Sequence, residues 1–143
     1  MSLIVLDASV AAKWFLGANA EPLVEEAVSI LERYARGELR LTVPDLFFAE
    51  VGNVLWKAVR SGRFSKSLAK SSISDLIARA IPWVASANLL ESAFEIATQF
   101  NRSLYDSLYL ALAVELKAQF VTADERLVNA LTRHFPIVWL GAY

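Results

Sequence analysis

Cysteine is absent from this chain of 143 residues, and histidine occurs once, at His134. The first absence removes disulfides, thiolate metal sites and cysteine nucleophiles together. The second removes a histidine-built zinc centre. Any metal held here must be held by oxygen, which favours Mg²⁺ or Mn²⁺. A dominant charge is also missing: 14 Lys and Arg face 15 Asp and Glu, for a net charge of −1. This is not the global basic footprint of a protein that binds nucleic acid by charge alone. The longest strongly apolar run, Leu108 to Val114, falls far short of the ~20 residues that cross a bilayer, so no membrane association is expected. The chain opens directly on a strand pattern, without a basic n-region or a cleavage site, and a cytoplasmic location is expected.

What is present is apolar. Hydrophobic residues make up 56% of the chain, which implies a large core and some apolar surface kept for a partner. The length suits a single domain spanning 1–143, and no repeat, low-complexity stretch or linker divides it. Leu3 to Leu6 reads as a buried strand and Ser9 to Leu16 as a short helix. Gly17, Asn19 and Pro22 punctuate the chain before a helix over Glu21 to Arg36, which Gly37 stops. Leu39 to Val43 is a second strand, and Pro44 is expected to open a helix to about Arg60. Further helices are expected over Ser65 to Ala80, from an Asn88 cap to Phe100, and from a Ser103 cap to Lys117. Pro82 to Val84, Gln119 to Thr122 and Ile137 to Leu140 read as strands, with a helix over Glu125 to Thr132. Short apolar strands alternating with helices predict an α/β fold with a mostly parallel sheet covered on both faces.

Four carboxylates stand out against this pattern. Asp7 and Asp124 each follow a strand, and so lie at the carboxyl edge of the sheet, where ligands bind in such folds. Asp106 begins a helix that runs back before the strand at Gln119, so its end belongs to the same edge. Glu50 lies about 9 Å along the helix after Pro44, and its side chain leans back toward the helix start. Each acid also has a local alternative. Asp7 and Asp124 can cap the helices that follow them. Asp106 can complete a capping box with Ser103. Glu50 shares a wet helical stripe with Asn53 and Lys57. These alternatives do not explain why all four project toward one edge. Clustered carboxylates repel, and a divalent cation would neutralise them.

Polar companions accompany the acids. Ser9 is two residues after Asp7, Thr122 is two before Asp124, and Asn53 is one helical turn from Glu50. Each is a candidate to orient a carboxylate or a metal-bound water. Lys57, Arg60, Arg63, Lys66 and Lys70 fall in one stretch. They are either solvated helix faces or, for Lys57, Arg60 and Arg63 in particular, contacts to a nucleic-acid phosphate backbone beside the acidic centre. Trp14, Trp56, Trp83 and Trp139 read as core or partner surface, with base stacking the lesser alternative. Tyr105 and Tyr109, at helical spacing around Asp106, read as core.

The motifs around these acids resemble a known family. Val5-Leu6-Asp7-Ala8-Ser9-Val10 followed by Lys13-Trp14-Phe15-Leu16 is similar to the opening of a PIN domain of the VapC type. Glu50-Val51-Gly52-Asn53-Val54-Leu55, Tyr105-Asp106-Ser107-Leu108-Tyr109 and Thr122-Ala123-Asp124-Glu125-Arg126-Leu127 resemble its later acidic motifs, in family order across nearly the whole chain. The resemblance implies a three-layer α/β/α PIN-like fold. It implies a Mg²⁺- or Mn²⁺-dependent endoribonuclease that acts as the toxin of a toxin–antitoxin pair, commonly a homodimer silenced by a small antitoxin. By motif match, Asp7, Glu50, Asp106 and Asp124 become the catalytic, metal-binding acids, and Ser9, Asn53 and Thr122 become supporting groups. Gly52 departs locally from the pattern, where a small or apolar helix former such as Ala is expected. Two other readings remain at this point: a partner-binding protein without chemistry, and a phosphatase with Asp7 as covalent nucleophile, although the companion acid expected two residues on is Ser9.

Overall fold

The computed structural model describes residues 1–17 and 21–143; Asn19 lies outside the described residues. Five strands form the sheet: β1 (Ser2–Leu6), β2 (Leu39–Pro44), β3 (Trp83–Val84), β4 (Gln119–Thr122) and β5 (Ile137–Trp139). Their order is β3-β2-β1-β4-β5, and every pairing is parallel. The helices are α1 (Ala8–Leu16), α2 (Val24–Ala35), α3 (Leu46–Arg60), α4 (Lys66–Ala78), α5 (Leu90–Phe100), α6 (Leu104–Leu116) and α7 (Glu125–Leu131). Right-handed crossovers put the helices of the β1→β2→β3 run over one face, and those of the return through β4 and β5 over the other. The result is the expected three-layer α/β/α arrangement. No helix among the described residues is long and apolar enough to cross a membrane.

β1 is central and almost wholly enclosed: Ile4, Val5 and Leu6 are buried, as are Leu41 and Val43 on one side and Phe120 and Val121 on the other. A strand buried on both faces needs a continuous apolar run, which is what Leu3 to Leu6 supplies. The register sets Val5 beside both Thr42 and Phe120. α6 is apolar all round and has seven consecutive buried residues, Ser107 to Ala113. It lies against β1, β2 and β4 with α5 packed on it, the setting that an all-round apolar helix requires.

Several boundaries depart from the sequence expectations. α2 begins at Val24 rather than Glu21, because Leu23 adopts a left-handed conformation at φ 59° and breaks the helical path. Pro44 closes β2 instead of opening a helix. It pairs with Val84 in the ladder, and α3 starts after Asp45. Asp45 is held by Ser86, whose hydroxyl and backbone amide both donate to Oδ1, a contact 41 residues away in sequence. Asn88 does not cap α5; it lies in a 3₁₀ turn, Ser86–Asn88, that precedes Leu89 and the helix. Ser103 does cap α6, accepting from the Asp106 amide at 3.0 Å. Sequence periodicity finds the elements, while chain reversals and long-range partners move their ends.

Candidate acidic cleft

The sheet reverses its strand order between β1 and β4, and the crevice beyond their carboxyl ends is where this architecture binds ligands. Asp7 stands at that point. Its backbone amide extends the ladder by donating to Val121 O at 3.0 Å, and its side chain makes no helix-capping bond. Asp7 Oδ2 instead accepts from Ser9 Oγ and Thr122 Oγ1, each at 2.7 Å. The network continues outward. Ser9 Oγ accepts from the Ala123 amide at 3.2 Å, and Thr122 Oγ1 from the Asp124 amide at 3.1 Å. Two hydroxyls therefore fix one carboxylate and stitch the turn after β1 to the turn after β4. Such linked bonds, shielded from water, rigidify a site. Thr122 is completely buried.

Glu50 comes from the second turn of α3. Its Oε1 accepts from Tyr109 Oη at 2.6 Å. Tyr109 is buried and stacks on Phe120, with ring centroids 5.1 Å apart. Its spacing on an apolar helix marked it as core, and its ring is core. Nothing in the local pattern revealed that its hydroxyl reaches 59 residues back to an acid. Asp106 sits in the first turn of α6. Only half of the expected capping box forms there, with Ser103 accepting from the Asp106 amide.

Asp7, Glu50 and Asp106 line one open cleft of about 530 Å³, together with Ser9, Asn53, Lys57 and Tyr105. Tyr105 is 59% exposed, which corrects its reading as a core residue: it precedes the buried stretch of α6 and faces the cleft. Asn53 lines the cleft without a side-chain hydrogen bond to any acid among the described residues, so Ser9 and Thr122 are the companions that hold a carboxylate directly. Asp124 stands apart from this lining. It is exposed and caps α7, with Oδ1 accepting from the Leu127 amide at 3.2 Å. Arg60 and Arg63 also lie outside the lining. Arg60 rests over the Trp56 ring at 5.1 Å, and Arg63 Nε donates to Ser61 Oγ at 3.3 Å. Lys66 and Lys70 border a separate shallow groove on α4.

The electrostatics are strained in one direction. Burial raises the pKa of Asp7, against the lowering effect of the Thr122 and Ser9 hydrogen bonds, and the charge of Asp106 raises it further. Burial likewise raises Glu50, with Asp7 and Asp106 adding repulsion and the Tyr109 hydrogen bond opposing. Asp106 is raised by burial and by Asp124, and is lowered by its Ser103 hydrogen bond and by Arg102. Tyr109 is held above the usual phenol range by burial and by the acids around it. No lysine or arginine forms a salt bridge with any of the four acids among the described residues. Arg102, next to Asp106 electrostatically, was not singled out by sequence pattern; its Nε is buried without a partner among the described residues.

Among the described residues, no group of three or more His, Asp or Glu side chains is arranged to hold a metal ion as it stands. Asp7 and Glu50 each give one oxygen to protein hydroxyls, and Asp124 gives one to an amide, so the donors do not close into a cage. They do constitute an all-oxygen set in which negative charge is crowded and uncompensated. That chemistry fits a hard divalent cation retaining several waters.

The PIN domain family matches residues 4–130. The chain belongs to the PIN domain family. Among its relatives are Ribonuclease VapC3 of Pyrobaculum aerophilum, 29% identical over 88% of this chain and 92% of that protein, and Ribonuclease VapC1 of Mycobacterium tuberculosis, 30% identical over 91% of this chain and 92% of that protein. These place it with the VapC-type members. In fold, this PIN domain is similar to PAE2754 of Pyrobaculum aerophilum, with a TM-score of 0.69 at 18% identity over 98% of this chain and 85% of that one. It is also similar to VapBC2 from Rickettsia felis, solved bound to a DNA fragment from the promoter, with a TM-score of 0.67 at 13% identity over 96% and 98% of the two chains.

Proposed function

We propose that this protein is a Mg²⁺- or Mn²⁺-dependent endoribonuclease hydrolysing RNA phosphodiester bonds, with residues 1–143 acting as a single PIN domain. The observation that carries the reading is the grouping of Asp7, Glu50 and Asp106 around one cleft at the strand-order switch point, with Asp7 fixed by two hydroxyls. The relatives named ribonucleases support it. Asp7, Glu50 and Asp106, with Asp124 nearby, would hold the ion. When bound, it supplies Lewis acidity toward the phosphate and lowers the pKa of water.

The protein's own contribution is placement. Ser9 and Thr122 donate to Asp7, and Tyr109 donates to Glu50. Hydrogen bonds of this kind favour the ionised carboxylate and oppose the effect of burial. The acids are thereby oriented where a cation must dock. Lys57, on the cleft wall, meets a substrate phosphate, and Arg60 and Arg63 extend positive charge beyond it. A covalent role for Asp7 is disfavoured because Ser9 stands where a companion acid is expected two residues on.

In its cellular role this protein is a toxin that inhibits translation, works in the cytoplasm as a homodimer and is neutralised by a cognate antitoxin. The VapBC2 neighbour supports that pairing, and so do two exposed apolar patches, one at Leu90 and Phe94 and one at Ile77 and Trp83. The test is cleavage of RNA by metal-stripped protein on adding Mg²⁺ or Mn²⁺. Cleavage is expected with metal, and none is expected with chelator or in the Asp7→Asn/Asp106→Asn double variant. Undiminished cleavage by a folded, contaminant-free double variant would overturn the reading.

A further inference from the structure

The cleft carries crowded negative charge, yet its proposed substrate is a polyanion. Attraction must therefore come from the rim, and α3 is the wall that offers it. Leu46, Ala49, Glu50, Asn53, Val54 and Lys57 are the α3 residues that line the cleft. At 3.6 residues per turn, Trp56 and Arg60 fall on the arc of Ala49, Asn53 and Lys57, within about 120° of one another, with Trp56 beside Lys57 and Arg60 about one turn beyond it. Trp56 is 52% exposed. The Arg60 guanidinium lies over its ring at 5.1 Å. Neither Lys57 nor Arg60 is in a salt bridge among the described residues. One face of α3 thus carries, in order along the helix, an acid, an amide, an open indole and two cations without acidic partners among the described residues.

Cation–π stacking between exposed side chains stabilises a helix by only about 0.5–1 kcal/mol, which does not account for leaving so much indole in water. Aromatic rings beside positive charge are, in contrast, the means by which proteins hold single-stranded nucleic acid: the base stacks and the phosphate pairs. We propose that Trp56, backed by Arg60, is the platform on which a nucleobase of single-stranded RNA stacks beside the linkage held in the cleft. The proposal rests on the ribonuclease reading of that cleft and specifies the state of the RNA it accepts. A duplex keeps its bases stacked on each other and cannot use the platform. Trp56 is then a positioning residue, six residues and about 9 Å along α3 from Glu50.

The test is binding of a short fluorophore-labelled RNA to the full chain in chelator, where cleavage does not interfere, measured by anisotropy as a single strand and as a duplex. Trp56→Ala is expected to weaken single-strand binding by about 10- to 100-fold, with Trp56→Phe retaining most of it and duplex binding unchanged. Arg60→Ala is expected to have a smaller effect. Trp56→Ala protein that binds the single strand as tightly as wild type would sink the proposal. So would a loss that tracks dissociation of a dimer in sedimentation, which would assign the indole to an interface between copies. The two readings separate cleanly. Trp56-dependent binding without cleavage in Mg²⁺ or Mn²⁺ leaves the platform and removes the nuclease, and metal-dependent cleavage with Trp56-independent binding does the reverse.

Discussion

The ends of β1 and β4 are adjacent in the sheet, and each is followed by an aspartate and a helix, yet the two aspartates are used differently. Asp7 leaves its helix uncapped and points its carboxylate at two hydroxyls, one from its own turn and one from β4. Asp124 caps α7 and stays exposed. What separates them is the neighbourhood rather than the local sequence. Asp7 sits on the central strand with Thr122 on the neighbouring strand in reach, so its cheapest partner lies across the sheet. Asp124 has free helix amides ahead of it and water around it. An acid at a strand end is thus either a cap or an acceptor for side-chain hydroxyls, according to what the adjacent strand presents.

The largest expected effect breaks the comparison at Asp7. Asp7→Asn should lower RNA cleavage at least about 100-fold, as loss of a central electrostatic group does, while raising the thermal midpoint of the metal-free protein. The sign follows from the raised pKa values of Asp7, Glu50 and Asp106. The folded state holds protons more tightly than the unfolded chain. These groups therefore contribute stability that is fully present below the unfolded carboxylate pKa and is lost as pH rises through the folded values. Removing one charge should flatten that decline. Calorimetric scans from acid to neutral pH in chelator would show it, and a variant less stable than wild type at neutral pH would contradict it.

Next comes the bridge between the two turns. Thr122→Val keeps the shape and removes the hydroxyl that joins Asp7 to the Asp124 amide. A loss of about 10- to 100-fold in metal affinity or cleavage is expected, as for groups that orient metal ligands. Titration with Mn²⁺ by calorimetry reports the affinity directly. Asp124 should then divide its two roles. Asp124→Ala should cost about 1 kcal/mol in urea unfolding through the lost cap, whereas Asp124→Asn should cost almost none, since Asn caps as well as Asp. Cleavage by Asp124→Asn is expected to fall less than that of Asp7→Asn; an equal fall would move Asp124 into the centre of the site. The smallest effect lies away from both turns. Gly52 is inside α3, and a methyl group there meets nothing within 4 Å. Gly52→Ala should therefore stabilise by about 0.5–1 kcal/mol without changing RNA cleavage.

Much of the molecule was legible beforehand because it depends on local pattern. The apolar runs at Leu3 and Phe120 declared buried strands, and the alternation with helices declared a parallel sheet. The acid-and-hydroxyl spacing of Asp7 with Ser9 became a real hydrogen bond. What was illegible depends on chain segments far apart. Pro44 looked like a helix start because that is what proline commonly marks; Ser86 and the β3 ladder make it a strand end instead. Asn88 looked like a cap but falls in the turn ahead of the helix. Tyr109 and Tyr105 share one helix and one spacing, and were read alike. The first is buried with its hydroxyl on Glu50, and the second is open to the cleft, because the first turn of α6 precedes its buried stretch, Ser107 to Ala113.

The sequence by itself determined the chemistry available to this protein. Without cysteine, and with one histidine, an oxygen-donor site is what remains, and strand direction assigns the acids to one edge of the sheet. Tertiary structure alone decided how they are used. Three carboxylates line the cleft and one caps a helix outside it, because hydrogen-bond partners for a buried charge must come from whichever segments the fold brings within 3 Å. Those segments lie as far apart in sequence as Asp7 and Thr122.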